Sequence, residues 1–170
     1  MAILTKDKIL EEIDVKRIKI SGFNKSFVGA GSVDFHLGRE FRVFKQAREI
    51  FHVKEDMDIS QVTKLIEIDD YLTLLPGQSA HGITKEKLTL PGNLCGWIQG
   101  KSSLARIGLL VHITANFIHP GTDSKIVLEM TNAGPMPLAI HPGIAICQII
   151  FEETVGEAIY QGKYSTQTKP

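Results

Sequence analysis

Apolar and polar residues alternate with two different periods along this chain of 170 residues. After Thr5, the apolar residues Ile9, Leu10 and Ile13 recur at helical spacing, which predicts a short helix to about Ile13 with Thr5 at its N-cap. Residues 21–31 are polar and glycine-containing, a loop pattern. From Ser32 the period falls to two. Val33, Phe35 and Leu37 share one face of an expected strand, Asp34 and His36 the other, and Phe41 and Val43 resume the pattern after Gly38. Residues 45–70 are charged and weakly patterned, ending in an expected strand over 64–68. Beyond Tyr71 come short apolar runs separated by Pro-Gly pairs at 76–77, 91–92, 120–121 and 142–143. Short strands at such intervals predict an antiparallel sandwich or barrel rather than βαβ units.

Composition narrows the class without naming a chemistry. An apolar content of 43% and a charged content of 22% describe an ordinary globular chain, expected to form one domain over residues 1–170. The formal net charge is zero, which argues against a general nucleic-acid or membrane-surface binder but leaves room for a local basic pocket. The first residues carry charges where a signal peptide needs its apolar core, and the apolar runs are far shorter than the roughly 20 residues that span a bilayer. Cys95 and Cys147 form no CxxC pair, so a reduced, cytoplasmic protein with both thiols in the core is expected.

The chemistry concentrates between residues 100 and 129. A GKSS turn opens this stretch, offering hydroxyls, an ammonium and free backbone N–H groups at the start of a helical turn, a natural anion site. Arg106 follows one turn after Ser102 and Ser103 on the same side. A capped helical turn with exposed charges is the alternative. The stretch ends in an expected strand where Ile126, Leu128 and Met130 share one face and Val127, Glu129 and Thr131 the other. By alternation alone, Glu129 could equally be a solvated carboxylate on an outer face. Near the C-terminus, Ile144, Ile146, Gln148 and Ile150 line up at period two, so Gln148 reads as an amide interrupting an apolar face. Such an amide needs partners, either backbone groups or a ligand. Residues 161–170 are polar and have little hydrophobic reason to be ordered. His36, His52, His81, His112 and His141 show no metal-ligand spacing.

Taken together, GKSSLARIGL over 100–109, IHPG over 118–121, IVLE over 126–129, PGIAICQIIF over 142–151 and YQGKY over 160–164 with Gln167 resemble the dCTP deaminase branch of the dUTPase superfamily. GSVDFHLG over 31–38 matches the family's N-terminal strand. The resemblance implies an all-β, dUTPase-like distorted jelly-roll barrel with a few short helices. It also implies homotrimers with active sites between subunits. The family's essential carboxylate lies 23 residues after the motif arginine, the separation here of Glu129 and Arg106 (129 − 106). The resemblance therefore places Glu129, Ser102 and Arg106 at the reacting centre. It makes Lys101, Ser102, Ser103, Leu104, Ala105, Arg106, Gln148, Tyr160, Lys163 and Gln167 substrate-binding, the tail folding over the nucleotide with Lys163 near phosphate.

The implied reaction is hydrolytic deamination of dCTP to dUTP and ammonia, with magnesium accompanying the triphosphate. Zinc deaminases carry HxE and PCxxC signatures; neither occurs here, so water activation without zinc is expected. Three positions depart from the family pattern. His119 stands where aspartate is usual, Thr122 where an aromatic is common, and Ser124 where glycine is usual. In dUTPases that aspartate activates the water attacking phosphate, so the departures weaken a dUTP diphosphatase. A bifunctional enzyme and a catalytically inactive nucleotide-binding homologue are the remaining alternatives.

Overall fold

The computed structural model describes residues 2–46, 49–162, 164–165 and 167–170. Among the described residues, eleven strands and two short helices form. The helix α1 (Lys6–Asp14) buries Ile9 and packs Leu10 and Ile13 against the core. Thr5 occupies the N-cap position with extended backbone, but its side chain makes no capping hydrogen bond. After β1 (Lys19–Ile20) comes the long β2 (Val33–Phe44), in which Val33, Phe35, Leu37 and Phe41 are buried. The charged excursion carries a 3₁₀ turn, Ile59–Gln61, and then β3 (Thr63–Glu67).

The strands that follow are β4 (Leu72–Leu74), β5 (Ser79–Thr89), β6 (Leu94–Gly100), β7 (Leu109–Leu110) and β8 (Phe117–Ile118). The second helix, α2 (Ser102–Ala105), sits between β6 and β7. The last strands are β9 (Asp123–Asn132), β10 (Leu138–Ile140) and β11 (Ala145–Glu153). Every pairing among them is antiparallel. The main sheet runs β7-β9-β5-β2-β11-β6-β8, with β1 added to β5 and β3 to β2, while β4 and β10 form a separate ribbon. The fold is all-β, as the strand pattern predicts. The Pro-Gly pairs fall in turns between strands, and Gly77, Gly121 and Gly143 adopt positive φ there.

One face assignment is corrected. A β-bulge between Ala145 and Cys147 shifts the register of β11 against β2. Both Ile146 and Cys147 are consequently buried, and the inward set continues as Ile149 and Phe151. Gln148 therefore lies on the less buried side with Ile150 and Glu152, and does not interrupt the core-facing row. Both cysteines are free and buried, and burial pushes the Cys147 thiol well up. Among the described residues, no helix is long and apolar enough to cross a membrane.

Candidate active site

Strand β9 sets the position of Glu129. Leu128 and Met130 on either side are fully buried, which anchors the strand and turns Glu129 to its other face. There Glu129 lies directly across from His81 of β5. Its carboxylate is half-buried, and burial raises its pKa above the ordinary carboxylate value. Hydrogen bonds from its own N–H and that of Ile113, together with the nearby His112 imidazole, work in the opposite direction. The other oxygen, Oε2, is closed off from solvent and has no hydrogen-bond partner, as has Nδ1 of His112. An unpartnered acceptor on a cavity wall is costly to keep and is suited to a ligand's proton.

Glu129 borders two cavities. One, of about 220 Å³, is also lined by Phe117, His119, Lys125, Tyr160, Tyr164 and Gln167. The other, of about 510 Å³, is bounded by Phe44, Gln78, Ser79, His81 and Ile113. A further cavity of about 480 Å³ within residues 49–62 contains none of the candidate residues.

The C-terminal segment closes the first of these cavities. Tyr160 N–H donates to Pro120 O at 3.0 Å, and its ring stacks on His119 with centroids 4.6 Å apart and planes 6° apart. His119 also meets Phe117 edge-on at 4.8 Å, and Phe117 meets Trp97 at 4.9 Å. Gln167 O accepts from Lys125 N–H at 3.2 Å, and Pro170 O accepts from Arg42 Nε. A polar tail thus gains order from backbone hydrogen bonds and one aromatic stack. Lys163 lies outside the described residues.

The GKSSLAR segment forms the end of β6 and α2. Ser102, Ser103, Ala105 and Arg106 are exposed, and Leu104 is half-buried and packs on the core. The N–H groups of Ser102 and Ser103 fall in the first turn, where a helix offers no internal acceptor. Lys101 is held by an ion pair with Asp34 of β2 at 2.5 Å. Arg106 makes no ion pair among the described residues. Gln148 accepts from Ser32 Oγ at 2.7 Å and donates to Gly100 O at 3.2 Å, which ties β11 to the start of this segment.

Within one chain, then, the candidates form two groups. Glu129, Tyr160 and Gln167 share a cavity wall, whereas Lys101, Ser102, Ser103, Leu104, Ala105, Arg106 and Gln148 line neither cavity that Glu129 borders. Sequence reasoning missed Lys125 and Phe117 as cavity residues, and gave His81 and His112 no role beyond noting their lack of metal-ligand spacing. The period-two spacing of Lys125, Val127 and Glu129 was the available signal for the first.

The sequence profile of the dCTP deaminase-like family matches residues 3–154. The chain belongs to that family. This dCTP deaminase-like protein is 36% identical over 177 aligned residues to a dCTP deaminase, dUMP-forming, of Parafrankia sp. (strain EAN1pec), covering 99% of this chain and 88% of that one. It is 41% identical over 144 residues to a dCTP deaminase of Marinomonas sp. (strain MWYL1), covering 79% of this chain and 74% of the relative. The fold matches a crystal structure of 2′-deoxycytidine 5′-triphosphate deaminase from Agrobacterium tumefaciens, with a TM-score of 0.66 at 20% identity. That match covers 88% of this chain, which spans less than half (47%) of the Agrobacterium chain.

Proposed function

We propose that this protein deaminates dCTP hydrolytically to dUTP and ammonia, with Glu129 carrying the protons. The observation behind this reading is the Glu129 carboxylate, half-buried on a cavity wall that the C-terminal segment also lines, with Oε2 unpartnered. Water attacks C4 of the cytosine and yields its proton to Glu129. The same carboxylate passes that proton to N3, then takes the second proton from the C4 hydroxyl and gives it to the departing amine, which leaves as ammonia when the C4–N4 bond breaks and C4=O forms. A pKa raised by burial brings the group closer to the range in which it both takes and gives a proton at neutral pH.

Ser102 and Arg106 are assigned to the reacting centre, with Arg106 free to meet phosphate in a bidentate geometry that Lys101, tied to Asp34, cannot supply. Lys101, Ser103, Leu104, Ala105, Gln148, Tyr160, Lys163 and Gln167 are assigned to substrate binding. Residues 101–106 line neither cavity bordered by Glu129, which supports a site completed by that segment from a second copy. A homotrimer with sites between subunits provides such a copy. Magnesium enters as part of the substrate, bound to the triphosphate. Among the described residues, no group of three or more His, Cys, Asp or Glu is arranged to hold a metal.

A second reading has a specific support: relatives 36% and 34% identical over 99% of the chain are named dUMP-forming. Against it stands His119, whose ring is engaged with Tyr160 and Phe117 where a water-activating aspartate is usual. Incubation with dCTP and separately with dUTP, resolving nucleotides, ammonia and pyrophosphate, decides between them. Ammonia with dUTP supports the first reading. Pyrophosphate and dUMP support the second, and nucleotide binding without turnover refutes both.

A further inference from the structure

The smaller cavity beside Glu129 extends along one face of β9. Lys125, Val127 and Glu129 all line it, at period two on that face. Four residues of extended strand place the Lys125 and Glu129 backbones about 14 Å apart. This is comparable to the reach of an extended nucleoside triphosphate from its reacting ring carbon to its terminal phosphate. The wall of this cavity therefore includes both a carboxylate-bearing and an ammonium-bearing side chain from one strand face.

The Lys125 charge is not spent on a carboxylate. Directly across the sheet lies Lys87, which is itself paired with Asp123 at 2.8 Å. Among the described residues, Lys125 forms no ion pair. Lys125 also borders a neighbouring cavity of about 550 Å³ whose charged residues are Arg39, Glu40, Glu67, Asp69 and Lys85. Arg39 and Asp69 neutralise each other at 2.8 Å, and Glu40 and Glu67 face one another across β2 and β3. The backbone N–H of Lys125 holds Gln167 O of the C-terminal segment, so the residue stands where the tail crosses the cavity.

We propose that Lys125 is a further substrate-binding residue, gripping the terminal phosphates of the nucleotide whose base is presented to Glu129. The proposal rests on the deaminase reading for the identity of the nucleotide, while the polyphosphate chemistry is read from the lysine and its cavity.

The test is calorimetric titration of the full chain with inorganic tripolyphosphate, dCTP and dCMP, comparing wild type, Lys125→Met and Lys125→Arg. Methionine keeps the apolar stem, and thermal melting checks that each variant is folded. Lys125→Met should weaken tripolyphosphate and dCTP by about tenfold, the loss of one charge-assisted contact. It should leave dCMP unchanged, and Lys125→Arg should recover most of the affinity. In turnover the loss should fall on KM for dCTP rather than on kcat. Equal affinity of wild type and Lys125→Met for tripolyphosphate overturns the proposal, as does an equal loss for dCMP and dCTP. If tripolyphosphate binding depends on Lys125 but dCTP yields no ammonia, the deaminase reading fails and the anion site stands. If dCTP turns over with an affinity indifferent to Lys125, the reverse holds.

Discussion

Replacing Glu129 by glutamine separates the chemistry of this site from its architecture. Glutamine keeps the shape of the side chain and one carbonyl acceptor near the N–H groups of Glu129 and Ile113. It cannot carry a proton, and general acid–base catalysis of this kind is worth about 10²–10⁴-fold. That corresponds to roughly 3–5 kcal/mol on the barrier at about 1.4 kcal/mol per tenfold. The effect on stability is expected to be small. An amide at the buried Oε2 position introduces an unpaired donor, costing about 1–3 kcal/mol. It also removes a charge that burial disfavours. The folded pKa of Glu129 lies above its unfolded value, so the wild type is most stable below the unfolded pKa and loses that advantage as pH rises through the folded one. Each unit of such a shift is worth about 1.4 kcal/mol before solvent screening of a half-exposed group reduces it. Glu129→Gln should therefore melt close to the wild type at pH 8 and compare less favourably at pH 4, where the wild-type carboxyl is neutral. Ammonia release from dCTP, nucleotide affinity by calorimetry and melting at both pH values make up the assay. Near-normal deamination by a folded variant would refute the role of Glu129, and a collapse of melting temperature at pH 8 would show that the carboxylate is structural.

Arg106→Ala should abolish most dCTP turnover with little change in melting temperature, because the side chain is exposed and unpaired; Lys101→Ala should lower the melting temperature more, since it strands the half-buried Asp34 carboxylate. The acid limb of kcat/KM for deamination should fall above the ordinary carboxylate range, as the raised pKa of Glu129 requires, and a limb at or below that range would contradict the assignment. His119→Asp should loosen the tail by removing the stack on Tyr160, detectable as faster hydrogen exchange over residues 158–167; unchanged exchange would mean that the backbone bonds alone hold it. Gly108→Ala should destabilise by more than about 1 kcal/mol, because its φ is +85° and a Cβ there would sit 2.4 Å from Gly134 N. A melting temperature equal to wild type would show that the α2–β7 turn yields easily.

Much of this was legible in the chain by itself. Period-two spacing assigns the buried rows of β2 and β9, and hence the turn of Glu129 away from the core, because a strand fixes alternate side chains to opposite faces. The Pro-Gly pairs mark the turns for an equally local reason, a backbone preference that needs no neighbour. The ordered motifs identify the family and nominate Glu129 and the GKSSLAR segment. What spacing could not supply was anything depending on partners distant in sequence. The bulge in β11 moves Gln148 off the inward face, and only pairing with β2 creates it. Asp34 captures Lys101 across 67 residues, leaving Arg106 as the unpaired cation of its segment. Tyr160 and Gln167 share a cavity with Glu129 because hydrogen bonds to Pro120 and Lys125 hold the tail beside β9. Alternation tells which way a side chain points, but register, bulges and long-range hydrogen bonds decide what it meets there.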